Sequence, residues 1–243
     1  MRNKYFIPLE GTHGQLTDMS QDEFPSSLLP WCDGALRLSD KGTHFGYVHT
    51  GNATIETSIG CFTLQRGMYF SLPGAGLLSG EGRGIIVTRL NYDGVFLLGG
   101  PREETGRLQY IDGCTDSLLV PPVLMGDPCL NALYFPAGIK QTQHTHPSMR
   151  VGIITSGSGE CITPAGNAPL TVGQIFVIPA GSIHSFNTAD DPMVVIAYHP
   201  DSDFGPTHEI HPMVNRTLIN GVSASKRHDI RTRRRSLDRT LYE

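Results

Sequence analysis

The sequence predicts an all-β protein built from two tandem modules. Three observations predict it. The 243-residue chain is 39% hydrophobic and only 17% charged, with 28 Gly and 17 Pro, which suits many short strands joined by tight turns. The segment GNATIETSIGCFTLQRGMYFSLP, from Gly51 to Pro73, returns as GSGECITPAGNAPLTVGQIFVIP, from Gly157 to Pro179. A second echo keeps the same order: CDGALRLSDKG from Cys32 resembles CLNALYFPAGI from Cys129.

The elements follow in order. Residues 1–24 are polar and mixed, an arm expected to wrap an edge or a partner. The first module spans 25–100 and the second 125–203. In the first echo Gly51 falls on Gly157, Gly67 on Gly173 and Pro73 on Pro179. Each copy runs from a Gly-ended apolar stretch through alternating residues to a Gly turn, then five mostly apolar residues and Pro. That pattern reads as strand, turn, strand. Cys32 to Gly51 is shorter than Cys129 to Gly157, so the first copy is trimmed between these landmarks. Residues 101–124 read as a connector with some strand content. The extension 204–243 begins in turn-like sequence and ends on Lys226–Glu243, where seven Lys or Arg meet three acids. This tail reads as solvated, with room for a short helix.

Composition also excludes classes. A net charge of −4 is not built to coat nucleic acid. The apolar run Ser117–Gly126 is broken by Pro121 and Pro122, far short of a membrane span. The start, MRNKYFIPLEG, lacks the apolar stretch of a secretory signal. Five cysteines with no CxxC pair suggest reduced thiols and a cytoplasmic location.

The chemistry concentrates between Gly138 and Asn187. His144 and His146 are two apart, so on a strand both imidazoles point to one face. His184 follows the turn Pro179-Ala180-Gly181 after a buried-looking strand, and a β-barrel returns that position over the pair. Three neutral imidazoles hold one metal and leave positions open. The competing reading is three histidines hydrogen-bonded in a polar cavity.

The joint spacing resembles the two signature motifs of the cupin superfamily, G-x5-H-x-H-x3-4-E-x6-G and G-x5-P-x-G-x2-H-x3-N. Gly138, His144, His146 and Gly157 match the first. Gly173, Pro179, Gly181 and His184 match the second, with Asn187 one residue early. With the repeat, the resemblance covers most of 25–203. It implies two tandem cupin barrels (jelly rolls, or double-stranded β-helices), and a divalent metal on His144, His146 and His184.

One departure matters. The family's usual glutamate ligand falls at Arg150, which stays protonated and cannot ligate. The implied site is three-histidine, as in the thiol and diketone dioxygenases of the family. Arg150, on the inward face, is expected to hold a substrate carboxylate with its fork. Its alternatives are an outward orientation or pairing with an acid such as Glu160. Tyr198 is the second candidate catalytic residue, an acid, base or orienting donor; with Phe186 and Ile196 it is also placed to form an apolar wall. Tyr134, Gln141 and Gln143 are candidates for the barrel mouth. Strand alternation makes Thr142 the nearest inward residue and turns Gln143 away. Cys161 is expected to be small buried packing, and His208 and His211 structural.

The first module does not repeat the site. Leu78 stands where the second has His184, and His44 and His49 read as surface or hydrogen-bonded core. This copy is expected to be degenerate, packing against the active module or building a dimer.

The leading functional expectation is a metal-dependent enzyme acting on a small organic acid or carbonyl compound, a non-haem Fe(II) dioxygenase. Zn, Ni or Mn on the same ligands implies an isomerase or cyclase instead. A third expectation is a non-catalytic cupin that binds or senses a small ligand. The expected partners are a small anionic molecule and a second copy of the chain, with no membrane and no nucleic acid.

Overall fold

The computed structural model describes residues 4–202 and 212–229. The arm supplies β1 (Ile7–Leu9) and β2 (Thr17–Met19). Then follow β3 (Ser26–Cys32), β4 (Leu36–Leu38), β5 (Gly42–Thr57), β6 (Gly60–Gln65), β7 (Tyr69–Pro73), β8 (Gly76–Leu90) and β9 (Leu97–Gly99). These make an antiparallel sheet in the order β2-β3-β8-β5-β7-β9, with β4 on β8 and β6 on β5. The second set is β10 (Leu108–Gln109), β11 (Thr115–Val120), β12 (Cys129–Phe135), β13 (Arg150–Gly157), β14 (Gly159–Thr163), β15 (Gly166–Leu170), β16 (Ile175–Ile178), β17 (Ser185–Asn187) and β18 (Met193–His199). Its large sheet runs β1-β16-β13-β18-β12-β11-β10 and its small sheet β15-β14-β17.

Two segments sit differently from a simple linear reading. The arm strand β1 pairs with β16, Ile7 opposite Val177, and so covers an edge of the second sheet. An otherwise open edge is capped this way. β10 and β11 lie in the stretch read as a connector, yet Thr115–Leu118 pair with Asn131–Tyr134 of β12. The second sheet therefore starts before residue 125.

Three apolar layers hold the sheets. Trp31, Ile55, Leu64, Phe70 and Leu78 fill the interior of the first set. Phe135, Ile154, Cys161, Phe176 and Phe186 fill the second. Between the two large sheets lies a shared layer that includes Leu28, Phe45, Val87, Val151, Ile196 and Tyr198. Strands buried on both faces explain why β12 and β18 read as unbroken apolar runs rather than alternations.

The echoed segments repeat one another in detail. β5 slips register against β8 between Val48 and Thr50, and β13 slips against β18 between Ile154 and Ser156. Gly51 and Gly157 follow these bulges at φ 69° and 72°. A Cβ on Gly46 would lie 2.1 Å from the Phe70 ring, and one on Gly152 would lie 2.3 Å from the Phe176 ring. Gly67 N–H donates to Val48 O at 2.8 Å, as Gly173 N–H does to Ile154 O.

Residues 204–243 form a separate compact unit. Its described part holds a one-turn helix, α1 (Pro212–Arg216), and a hairpin of β19 (Leu218–Ile219) and β20 (Val222–Ser223). Asn220 and Gly221 turn the hairpin at φ 50° and 78°, the two left-handed residues that a type I′ turn needs. His208, His211 and the basic tail beyond Asp229 lie outside the described residues. No helix among the described residues is long and apolar enough to cross a membrane.

Candidate metal centre

The backbone brings the three histidines together before any side chain matters. His144 and His184 form an isolated antiparallel bridge, each N–H donating to the other's carbonyl at 2.9 and 3.0 Å. Gly181 N–H donates to His146 O at 2.8 Å and fixes the next turn of chain. One ring nitrogen of each histidine then lies within 4.8 Å of the others. Ring centroids are 5.0 Å apart for His144 and His146, 4.6 Å for His144 and His184, and 5.2 Å for His146 and His184.

The surroundings suit metal ligation. His144 Nδ1 is 2.8 Å from Thr142 O, and His184 Nδ1 is 2.9 Å from Ser182 O. A carbonyl only accepts, so each Nδ1 carries the proton and each Nε2 keeps a free lone pair. Burial pushes His146 down to about 3, helped by the charge of Arg150 and the other two histidines. Burial likewise lowers His184 to about 4. Neutral imidazoles at neutral pH are the form that binds metal.

The histidines open onto a cavity of about 30 Å3 walled by Leu133, Phe135, Phe176, Ile178, Phe186 and Val195. Arg150 stands in this wall, mostly buried. Its Nη1 donates to Ser148 O, Ser148 Oγ and Met149 O and faces Asp201 Oδ1 at 3.7 Å. Ser148 Oγ in turn donates to the Asp201 carboxylate. Nε of Arg150 is buried with no partner. The protein thus grips one corner of the guanidinium and leaves another edge unused. The acid beside Arg150 is Asp201, not Glu160, whose carboxylate instead accepts from Asn167 Nδ2 at 3.3 Å.

Tyr198 does not join the site. It is fully buried in the layer between the large sheets, 5.3 Å centroid to centroid from Phe45 and 3.4 Å from Ser26 Oγ. On β18 it is Val195, Ala197 and His199 that face the cavity, and Val194, Ile196 and Tyr198 face away. Ile196 therefore leaves the apolar wall as well, and Phe186 stays in it. Tyr134 is also turned away, its hydroxyl donating to Glu103 O. The alternation argument fails at Thr142, because residues 141–149 are not a regular strand. Thr142 is exposed on Asp112, while Gln141 is buried in the cavity wall, its Oε1 accepting from Phe186 N–H. Gln143 is exposed, as alternation predicts.

Sequence reasoning missed His199 and Tyr110, both in the cavity wall. The His199 ring centroid lies 6.5 Å from that of His146, and burial holds its pKa well below the usual value. Its one legible signal was a histidine closing an otherwise apolar strand, MVVIAYH. In the first module, His44 is buried core, its Nδ1 2.7 Å from Thr88 Oγ1 and its Nε2 2.7 Å from Ser39 O.

The model of the cupin domain matches residues 133–199, which contain all three histidines and Arg150. No curated protein matches the chain. Several solved structures do. A glyoxylate-induced protein, as it is called, from Pseudomonas aeruginosa aligns with TM-score 0.64 at 12% identity, over 85% of this chain and 92% of that one. A cupin 2 conserved barrel domain protein from Leptotrichia buccalis gives 0.55 at 13% identity, over 78% and 91%. A variant of salicylate 1,2-dioxygenase from Pseudoaminobacter salicylatoxidans gives 0.55 at 10% identity, over 81% and 76%. Residues 133–199 thus match the cupin domain model, and the chain has the jelly-roll fold of the solved cupin structures.

Proposed function

We propose that this protein is a metal-dependent cupin enzyme of the non-haem Fe(II) dioxygenase type, acting on a small organic acid. The observation that carries the reading is the joint geometry of the cavity: three imidazole nitrogens within 4.8 Å of one another, facing a buried guanidinium with a free Nε. In this reading His144, His146 and His184 hold the metal. Fe(II) in such a set supplies redox chemistry toward O2, with positions left for substrate. Arg150 binds the substrate carboxylate through its unused edge, while Ser148 and Asp201 keep the guanidinium oriented. Its positive charge also raises the local preference for an anion. Phe135, Phe176 and Phe186 exclude water from the reacting end. The small cavity favours a substrate of few atoms, or one whose bulk stays at the mouth. Among the fold relatives, salicylate 1,2-dioxygenase acts on a carboxylate, which points the same way. We also read the two β sets as a duplicated pair, a bicupin, whose first copy has lost the site.

Elemental analysis of protein purified without chelator, beside its His146→Ala variant, tests the reading. About one iron per chain, absent from the variant, together with O2 uptake on small acids, is the expected result. Zinc, nickel or manganese would move the chemistry to Lewis-acid isomerisation or cyclisation. No metal in either protein after anaerobic reconstitution would overturn it in favour of a binding cupin.

A further inference from the structure

Away from the histidine cavity, a cleft of about 430 Å3 opens between the first and second β sets. Pro30, Ile153, Val172 and Ile175 give it apolar walls, and His49 and Arg83 its polar groups. Ile153 and Ile175 belong to β13 and β16, whose opposite faces carry Arg150, Phe176 and Ile178 into the histidine cavity. The cleft and the cavity are therefore separate.

His49 is the informative residue. It is only 8% exposed and lines both the cleft and a second hollow beside Arg66 and Arg102, so its ring reaches their solvent without being sealed in. Burial lowers its pKa from the usual value, and the charges of Arg66, Arg102 and Arg83 lower it further. None of the three takes part in an ion pair among the described residues. Glu103 and Glu104 stand on the far side of His49, and Glu103 is taken by Arg107 at 2.6 Å. The Arg83 side has no carboxylate in its lining. An imidazole N–H donor and an unpaired cation beside apolar walls together describe a complement: an anionic acceptor joined to an apolar body. The volume falls in the range of small-molecule sites, and such sites favour the seam between modules.

We propose that this cleft is a second ligand site that takes a small carboxylate with an apolar ring or branched body. The carboxylate pairs with Arg83 and accepts from the His49 ring N–H, and the apolar body lies against Pro30 and Ile153. This site is independent of the metal reading.

Trp31, the only tryptophan of the chain, borders the cleft beside Pro30 with its indole packed in the first core, so its fluorescence is a neighbouring reporter on the cleft. The full-length protein is titrated with cyclohexanecarboxylate, with cyclohexylmethanol as the uncharged control and inorganic phosphate as the control without an apolar body. A saturable change with the carboxylate alone is expected. Arg83→Gln, at an exposed position, should weaken it about tenfold, the loss of one charge-assisted hydrogen bond. Arg150→Gln should leave the titration unchanged. No saturable change, an equal response to the alcohol or to phosphate, or an unaffected Arg83→Gln variant would each overturn the proposal. Loss of the response in Arg150→Gln would assign the signal to the histidine cavity and overturn it too.

Discussion

The two β sets share a skeleton and differ at one end of it. Both have the bulge, the left-handed glycine behind it and a phenylalanine ring over a bare glycine, Phe70 on Gly46 and Phe176 on Gly152. Beyond that ring they part. Leu78 stands in the first where His184 stands in the second. By the same 106-residue shift that links Gly51 to Gly157, His44 corresponds to Arg150. Gly46 pairs with Ile86, and Gly152 with Ala197. Two residues on, Thr88 corresponds to His199. In the first set His44 and Thr88 satisfy each other and Leu78 closes the interior. In the second the same places hold Arg150 and His199, both facing a cavity. A few substitutions at one barrel end separate a filled core from a candidate reaction site. Glycines and bulges specify the barrel and say nothing about which copy carries chemistry.

This comparison can be broken or sharpened by experiment. The largest effect should come from removing a candidate ligand. His146→Ala should drop metal content to near zero, whereas His44→Ala should leave it unchanged and cost about 1–3 kcal/mol in stability, for the orphaned Thr88 hydroxyl. Equal metal loss in both variants would mean that the two modules share the site.

Next in size is the converse change. Leu78→His places an imidazole in an interior with no second ligand. Chemical denaturation should show a loss of about 2–4 kcal/mol with no gain of metal, since a filled core offers the ring no partner. A second metal equivalent in that variant would show that only one residue separates the copies.

A smaller effect is expected from pH. In the metal-free protein His146 and His184 stay neutral down to about 3 and about 4, while the unfolded chain binds protons from 6.5. Protons then favour the unfolded state, so stability falls as pH drops below 6.5, by about 2 kcal/mol for the pair between pH 6.5 and 5.5. A denaturation midpoint that stays flat through this window would contradict a buried neutral set.

The smallest change belongs to Tyr198→Phe. It removes one long contact to Ser26, so stability should move by no more than about 1 kcal/mol, with metal content and turnover intact. A large loss of turnover would put Tyr198 back among the reacting groups.

Much of this was legible in the sequence. Gly51 and Gly157 marked the repeat because a side chain there would strike the neighbouring strand, a Cβ lying 2.0 Å from Glu81 O at Gly51 and 1.6 Å from Pro192 O at Gly157. The spacing of His144, His146 and His184 announced a shared site as a motif, although backbone bonds to His184 and Gly181, not strand alternation, bring the pair together. Arg150 was visible as the residue standing where a ligand belongs. Tyr198 and Gln141 were not. β18 is apolar on both faces, so periodicity offered no way to tell inward from outward. Gln141 lies in irregular chain, where period-two reasoning does not apply.

The sequence by itself thus determined the two β sets, their turns and the three histidines, because these rest on local backbone geometry and short spacings. Only the tertiary structure decided which face of β18 met the cavity, that Asp201 rather than Glu160 sits beside Arg150, and that His49 and Arg83 line a cleft between the two β sets. Those outcomes depend on which sheets pack against each other, and residues such as Arg150 and Asp201, far apart in the chain, meet only when they do.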